Sequence, residues 1–408
     1  MYVLCSMSKI IERPDYIKRI LPFVDKSLIK VIVGQRRVGK SYILKQLSRI
    51  IIKSNPAANI IFIDKERSEF DFITDHRILS QFVKEKCLDA KANYLFVDEI
   101  QEIERFEKSL RSLLNEGGVD IYCTGSNADL LSGELATLLS GRHIEFRVSP
   151  LSYIEFLNFH QIEDSNSTLM SYLKFGGLPF LIHLEMDEVL IYDYLKNIYS
   201  TILFKDVVKR FKIRNISFLE TLVNFLASNI GSLVSAKKIS DFLKSQNIQI
   251  STRVVLDYLN YLNSAFLINM VERFDIRGKK VFENGGKRFF EDIGIRNALV
   301  GYRQTDIGKV MENVVYNHLI QCGYQVRVGQ FNSLEIDFVA KKRNETVYVQ
   351  VAYLVSDENT ILREYGNLMK IKDNYPKYVV SMDEIHGNTH EGIRHLHLRE
   401  FLKKDHFG

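Results

Sequence analysis

At 408 residues, with 46 % apolar and 26 % charged positions, the chain has the composition of an ordinary folded protein, not of a disordered or collagenous one. Single hydrophobic cores stop growing well short of this length, so roughly two to four domains are expected. A net charge of +5 is slight for the size; it permits nucleic-acid binding without arguing for it.

The apolar run Leu28 to Val33 predicts a strand, and Tyr42 to Ile52, with apolar residues at helical spacing, predicts a helix. Between them lies Gly34-Gln35-Arg36-Arg37-Val38-Gly39-Lys40-Ser41. A strand, a glycine-containing loop ending in Gly-Lys-Ser and a helix form a phosphate cradle. The loop's backbone N–H groups face the phosphates, and the helix N-terminus adds partial positive charge. Lys40 can reach the β- and γ-phosphates as a point charge, and the Ser41 hydroxyl can ligate Mg²⁺. Residues Gly34 to Ser41 together with Tyr42 are therefore the nucleotide-contacting candidates.

Asn59 to Ile63 predicts the next strand, ending at Asp64, and Leu79 to Cys87 a helix. Tyr94-Leu95-Phe96-Val97 is continuously apolar, as a strand buried on both faces requires. Asp98 at its end would sit beside the loop and offer Mg²⁺ an oxygen. Glu99, one residue on, is placed to polarise the water that attacks the γ-phosphate. Ser109 to Leu114 predicts a helix stopped by Gly117-Gly118. Val119 to Cys123 predicts a strand leading into Thr124-Gly125-Ser126-Asn127, which brings a polar amide to the same rim. His143 to Val148 predicts a last, shorter strand. Residues 1–150 thus read as a doubly wound α/β domain with ligands outside the carboxyl ends of its strands. A turn at Asp98-Glu99 or a helix cap at Asn127 would explain each alone but not the set. ATP or GTP binding follows.

Residues 151–214 read as a helical subdomain: Tyr153 to Phe159, Leu169 to Phe175 and Val189 to Phe204 carry aromatics at core spacing. Residues 215–303 have another rhythm, with helices at Leu219 to Ser228, from Ser235, and from Ser251 to Leu262. Two strands follow, Phe266 to Arg273 and Lys279 to Glu283. This is the order of a winged helix, whose third helix would enter a major groove. Candidate DNA contacts are Ser251, Thr252, Arg253 and Asp257 on that helix and Arg277, Lys279 and Lys280 on the wing. Arg253 is the one basic residue at the start of the helix, and the same fold also serves as a docking module. Residues 304–408 predict a small α/β unit: a helix with Glu312, strands at Gln325 to Val328, Leu334 to Val339 and Thr346 to Ala352, a helix from Ile361 to Ile371 and a strand at Tyr378 to Ser381. No apolar run is long enough for a membrane span, and the start of the chain lacks a signal-peptide core. Cys5, Cys87, Cys123 and Cys322 are scattered and read as reduced thiols of a cytoplasmic protein.

The series Gly34 to Ser41, Val97-Asp98-Glu99-Ile100-Gln101, Thr124-Gly125-Ser126-Asn127 and Gly141-Arg142 before Ser149-Pro150-Leu151-Ser152 resembles the prokaryotic AAA-type ATPases. More narrowly, it resembles the group that joins this ATPase to a winged helix and a C-terminal nuclease-like domain. The resemblance implies an additional-strand P-loop sheet. It gives Lys40 to phosphate, Ser41 and Asp98 to Mg²⁺, and Glu99 the role of catalytic base, with Asn127 sensing the γ-phosphate. It also places Arg142 where a charge-stabilising arginine acts, in its own subunit or a neighbour's; a structural salt bridge is equally compatible. The tail resembles the PD-(D/E)xK nucleases, in which a helix Glu, a strand Asp and a Glu-x-Lys converge on Mg²⁺. Glu312 and Asp337 match. Gln350 replaces the acid and Ala352 the lysine, so a retained scaffold is favoured over an active nuclease. Lys341 or Lys342 would have to substitute for the lost lysine.

The reading that results is Mg²⁺-dependent ATP hydrolysis driving conformational change on nucleic acid. The rivals are an ATP-gated assembly or protein-docking switch, and a metal-dependent DNA nuclease. DNA, a protein partner and self-association are the candidate interactions, and no membrane.

Overall fold

The structure is a computed structural model that describes residues 11–128, 141–246, 248–355, 358–384 and 389–407; Cys5 lies outside them. It divides into two compact units, Met1–Ser149 and Pro150–Gly408.

The first unit is built on five parallel strands: β1 (Ile29–Val33), β2 (Asn59–Asp64), β3 (Asn93–Asp98), β4 (Val119–Gly125) and β5 (His143–Arg147). Their order across the sheet is β2-β3-β4-β1-β5. β4 is therefore inserted between the loop-bearing strand and the Asp98 strand, the additional-strand arrangement expected from the sequence. Every residue of β1 and β3 is buried, which requires cover on both faces of the sheet. The helices Lys40–Ser54 and Phe106–Glu116 pack on β4. Helix Lys40–Ser54 starts two residues earlier than its apolar spacing suggests, because Gly39 turns the chain at φ 97° and lets Lys40 open the helix.

In the second unit, the helices Tyr153–His160, Asn166–Phe175 and Glu188–Thr201 form the expected helical stretch, the last continuing as a π-helical segment Ile202–Lys209. Helices Ile216–Ser228, Ala236–Ser245 and Thr252–Ser264 follow, capped by Asn215, Ser235 and Ser251. The strands that come next are β6 (Ile268–Asp275), β7 (Lys280–Phe290), β8 (Gln325–Phe331), β9 (Leu334–Lys342), β10 (Glu345–Val351), β11 (Lys377–Ser381), β12 (Thr389–His390) and β13 (Ile393–His397). All eight belong to one mixed sheet of order β12-β13-β11-β10-β9-β8-β6-β7. The hairpin read from the sequence as a wing is thus not free-standing: β6 pairs in parallel with β8, Arg273 opposite Val328.

β7 also runs seven residues beyond the predicted end at Glu283. The Gly285-Gly286 pair reads as a strand breaker, yet here it marks a close backbone approach. A Cβ on Gly286 would lie 2.3 Å from the Val271 carbonyl oxygen on β6. Among the described residues the cysteines are free, and burial raises the Cys123 and Cys322 thiols to about 12. No described helix is long and apolar enough to cross a membrane.

Candidate nucleotide site and a carboxylate centre

Parallel strands deliver their carboxyl ends to one edge. Asp64 and Asp98 are register neighbours at the ends of β2 and β3, and Val33 pairs with Gly125. From Val33 the chain enters the glycine loop. Gly34 passes so close to the strand beside it that a Cβ would lie 2.1 Å from the Val148 carbonyl oxygen. Gln35, Arg36, Val38 and Lys40 are buried, Ser41 is half-buried, and Arg37 and Tyr42 are exposed. The Lys40 ammonium donates to the Gly34 and Gln35 carbonyls at 2.9 and 3.0 Å, so it curls over the loop in which a phosphate would lie.

The acids sit opposite. Asp98 is 2 % exposed, and burial raises its pKa. Its carboxylate accepts from the Ser41 and Thr124 hydroxyls, and both bonds oppose that rise. The Ser41–Asp98 contact brings a hydroxyl and a carboxylate oxygen to one point, a donor pair that fits Mg²⁺. Glu99 adopts φ 56°, an uncommon conformation for a non-glycine residue, and its amide donates to Thr124 Oγ1 at 2.9 Å. Its carboxylate accepts from Gln101 Nε2 and lies 4.0 Å from the Arg36 guanidinium, which also reaches Glu66 at 3.5 Å. Asn127 is buried just past the end of β4, on the same edge.

One placement departs from the sequence reading, and one residue was missed by it. Arg142 precedes β5, where Ile29 pairs with His143, and its carbonyl accepts from Ile29 N. That is the amino end of the strands, about 16 Å along β1 from the glycine loop, so Arg142 cannot reach the phosphates held by its own chain. It is exposed, and its guanidinium donates to Asn115 Oδ1 at 2.7 Å. Arg147, register partner of Val33, is the arginine at the loop end of β5. The residue the sequence did not single out for the site is Arg13. Buried at 3 % exposure, its guanidinium donates to the Val38 carbonyl at 2.9 Å and to Ser149 O at 3.1 Å, bracing the glycine loop from behind.

In the second unit, Glu312 on helix Ile307–Gln321, Asp337 on β9 and Gln350 on β10 do come together. Gln350 Oε1 accepts from the Asp337 amide at 3.1 Å, and Asp337 Oδ2 accepts from Val351 N at 2.9 Å. Ala352 belongs to the hydrophobic core with Ile336, Tyr348 and Leu368. The lysine of this centre is neither Lys341, which lies over the Phe274 ring, nor Lys342, over Tyr324. It is Lys287, from the part of β7 that the sequence reading missed. Its ammonium contacts Glu312, Glu335 at 2.7 Å and Asp337 at 3.0 Å. Burial would lower the Lys287 pKa, but Asp337, Glu312 and Glu335 outweigh it and raise it well above the usual range. Burial, with Asp337 beside it, pushes Glu312 up to about 8.

The exposed basic residues Arg253, Arg277, Lys279 and Lys280 lie at the start of helix Thr252–Ser264 and around the β6–β7 turn, with Ser251 and Thr252 exposed beside Arg253 and Asp257 half-buried. The turn packs on β8 through the bond from Ile276 N to Gln330 O.

Strand order, glycine loop and acid-bearing strand together define a P-loop domain of the AAA type. Residues 26–157 match the AAA domain family (AAA_14), and residues 166–306 match a domain of unknown function (DUF8612). A protein of Haemophilus influenzae is 37 % identical over 404 residues, covering 97 % of this chain and 100 % of that protein. The uncharacterized protein MJ1544 of Methanocaldococcus jannaschii is 31 % identical over 371 residues, covering 87 % of this chain and 80 % of that one. The chain belongs to the same family as these proteins, a family built on an AAA domain. Among solved structures it is similar to a Walker-type ATPase of Pyrococcus abyssi, at 16 % identity and a TM-score of 0.49, covering 71 % of this chain and 95 % of that one.

Proposed function

We propose that this protein binds ATP with Mg²⁺ at the Gly34–Ser41 loop and hydrolyses it, using the turnover to change conformation on nucleic acid. The observation that carries the reading is the meeting of Lys40, Ser41, Asp98 and Glu99 at one edge of the sheet, with Ser41 hydrogen-bonded to Asp98. The loop amides and the helix N-terminus hold the phosphates, and Lys40 exchanges its loop carbonyls for phosphate oxygens. Mg²⁺, held by Ser41 and Asp98, would supply charge neutralisation on the phosphates. Glu99 aligns the attacking water and takes its proton, Asn127 senses the γ-phosphate, and Lys40 with the loop amides stabilises charge on the transferring group. ATP is preferred to GTP because the sequence carries no guanine-reading motif. Exposed Arg253, Arg277, Lys279 and Lys280 support the nucleic-acid partner, as phosphate contacts. Arg142, exposed and remote from its own loop, retains a role only toward a neighbouring subunit.

The test is the Mg²⁺-dependent ATPase rate of the wild type and Glu99→Gln, with and without DNA. A DNA-stimulated rate lost in the variant supports the proposal; no hydrolysis above the variant's level refutes it. Hydrolysis indifferent to DNA moves the weight to a second reading, an ATP-gated assembly or docking switch. That reading is favoured by the Glu99 carboxylate being already engaged by Gln101 and Arg36.

A further inference from the structure

Resemblance of the tail to metal-dependent nucleases implies a divalent cation among Glu312, Asp337 and Gln350, and the donor atoms present do not fit one. Magnesium requires several oxygens free to close around it at about 2.1 Å. Here the Gln350 amide oxygen is turned onto the Asp337 N–H, and Asp337 Oδ2 onto the Val351 N–H. One oxygen of each carboxylate, Glu312 Oε1, Glu335 Oε1 and Asp337 Oδ1, meets a common atom, Lys287 Nζ. An ammonium has three N–H donors, and three carboxylates receive them. The Lys287 side chain is 3 % exposed and sits on a strand paired on one side with β6. Among the described residues no group of three His, Cys, Asp or Glu side chains is arranged to hold a metal ion.

We infer that the Lys287 ammonium is the permanent cation of this centre, so that the centre takes no divalent metal and instead pins the β7 edge strand to the helix Ile307–Gln321 and to β9. A buried carboxylate cluster must be charge-compensated, and a cation carried by the chain does so without depending on metal supply. The Gln350 and Ala352 replacements belong to the same design. The amide ties β9 to β10, and the alanine completes the hydrophobic core where a second cation would be repelled by the first.

The test counts Mn²⁺ bound to the full chain without nucleotide, by the loss of the free-ion electron paramagnetic resonance signal. Wild type, Asp337→Asn and Glu335→Gln are expected to bind the same number. Lys287→Met, confirmed folded by a cooperative melting transition, is expected to gain about one Mn²⁺ per chain, which Lys287→Met/Asp337→Asn loses. The inference is overturned if the wild type holds a Mn²⁺ that Asp337→Asn or Glu335→Gln releases. It is equally overturned if folded Lys287→Met gains none. Should Lys287→Met not fold, the comparison of wild type with the two carboxylate variants decides alone.

Discussion

The Thr124 hydroxyl accepts the Glu99 amide at 2.9 Å, and the same oxygen donates to the Asp98 carboxylate. One side chain at the end of β4 therefore fixes both acids at the end of β3, and holds Glu99 in its φ 56° conformation. Thr124→Val keeps the shape and removes both bonds. A buried N–H left unpaired costs about 1–3 kcal/mol, so the acids should lose their alignment before the domain unfolds. The expected result is a fall in ATPase kcat of about tenfold or more, little change in KM for ATP, and recovery in Thr124→Ser. Equal losses in Val and Ser variants would show that the hydroxyl does not position the acids.

Arg13 acts on the other side of the glycine loop. Its guanidinium satisfies two buried carbonyls, Val38 O and Ser149 O, while its plane lies over the Tyr16 ring at 4.5 Å. Arg13→Ala removes the donors and the stacking together and is expected to cost about 2–4 kcal/mol of stability and to weaken ATP binding. Arg13→Lys should recover only part of this, because an ammonium cannot reproduce the planar fork. Chemical denaturation and titration with a non-hydrolysable ATP analogue check both.

What could be read from the sequence followed how local each signal was. The glycine loop, β1 and β3 were legible because phosphate binding is done by contiguous backbone, and because a strand buried on both faces is continuously apolar. The inserted position of β4 came only through resemblance, since strand order leaves no local mark. Lys287 was hidden: its partners Glu312, Glu335 and Asp337 lie 25, 48 and 50 residues away, and Gly285-Gly286 before it imitates a turn. Arg13 was hidden for the same reason, since carbonyls at separations of 25 and 136 residues carry no side-chain signature. Arg142 had a motif position but not an end of the sheet; the parallel register of β5 with β1 decided that.

Asp292 gives the second unit a pH dependence with a definite sign. Its buried carboxylate accepts the Gly177 and Ile295 amides at 2.8 and 3.0 Å, yet burial still raises its pKa from 3.8 to about 6. The folded state then holds a proton that the unfolded state has lost between about pH 4 and 6, so this group lowers stability as pH rises through that window. The full cost above pH 6 is about 3 kcal/mol, from roughly two pKa units. Asp292→Asn keeps an acceptor and cannot ionise. Urea denaturation at pH 4.5 and 7.5 should show the wild type losing about 2 kcal/mol more than Asp292→Asn over that interval. Parallel profiles would mean that the carboxyl titrates alike in both states.

Gln101 donates to the carboxylate of Glu99 and also reaches Ser126 Oγ at 3.3 Å. The bond engages one carboxylate oxygen, Oε2, and leaves the other lone pairs able to take a proton, so Gln101 restrains how Glu99 can turn toward water rather than blocking it. Gln101→Leu fills similar volume without the donor. If the bond persists when ATP is bound, the variant should hydrolyse ATP about two- to tenfold faster than wild type in the absence of any partner, with KM little changed. A slower variant would mean the opposite: the amide orients Glu99 toward its water, and the bond belongs to the active arrangement rather than to the resting one. Crossing the variant with Glu99→Gln separates either outcome from a general loosening of the edge, because the double variant must return to the basal rate of Glu99→Gln alone if Gln101 acts through Glu99.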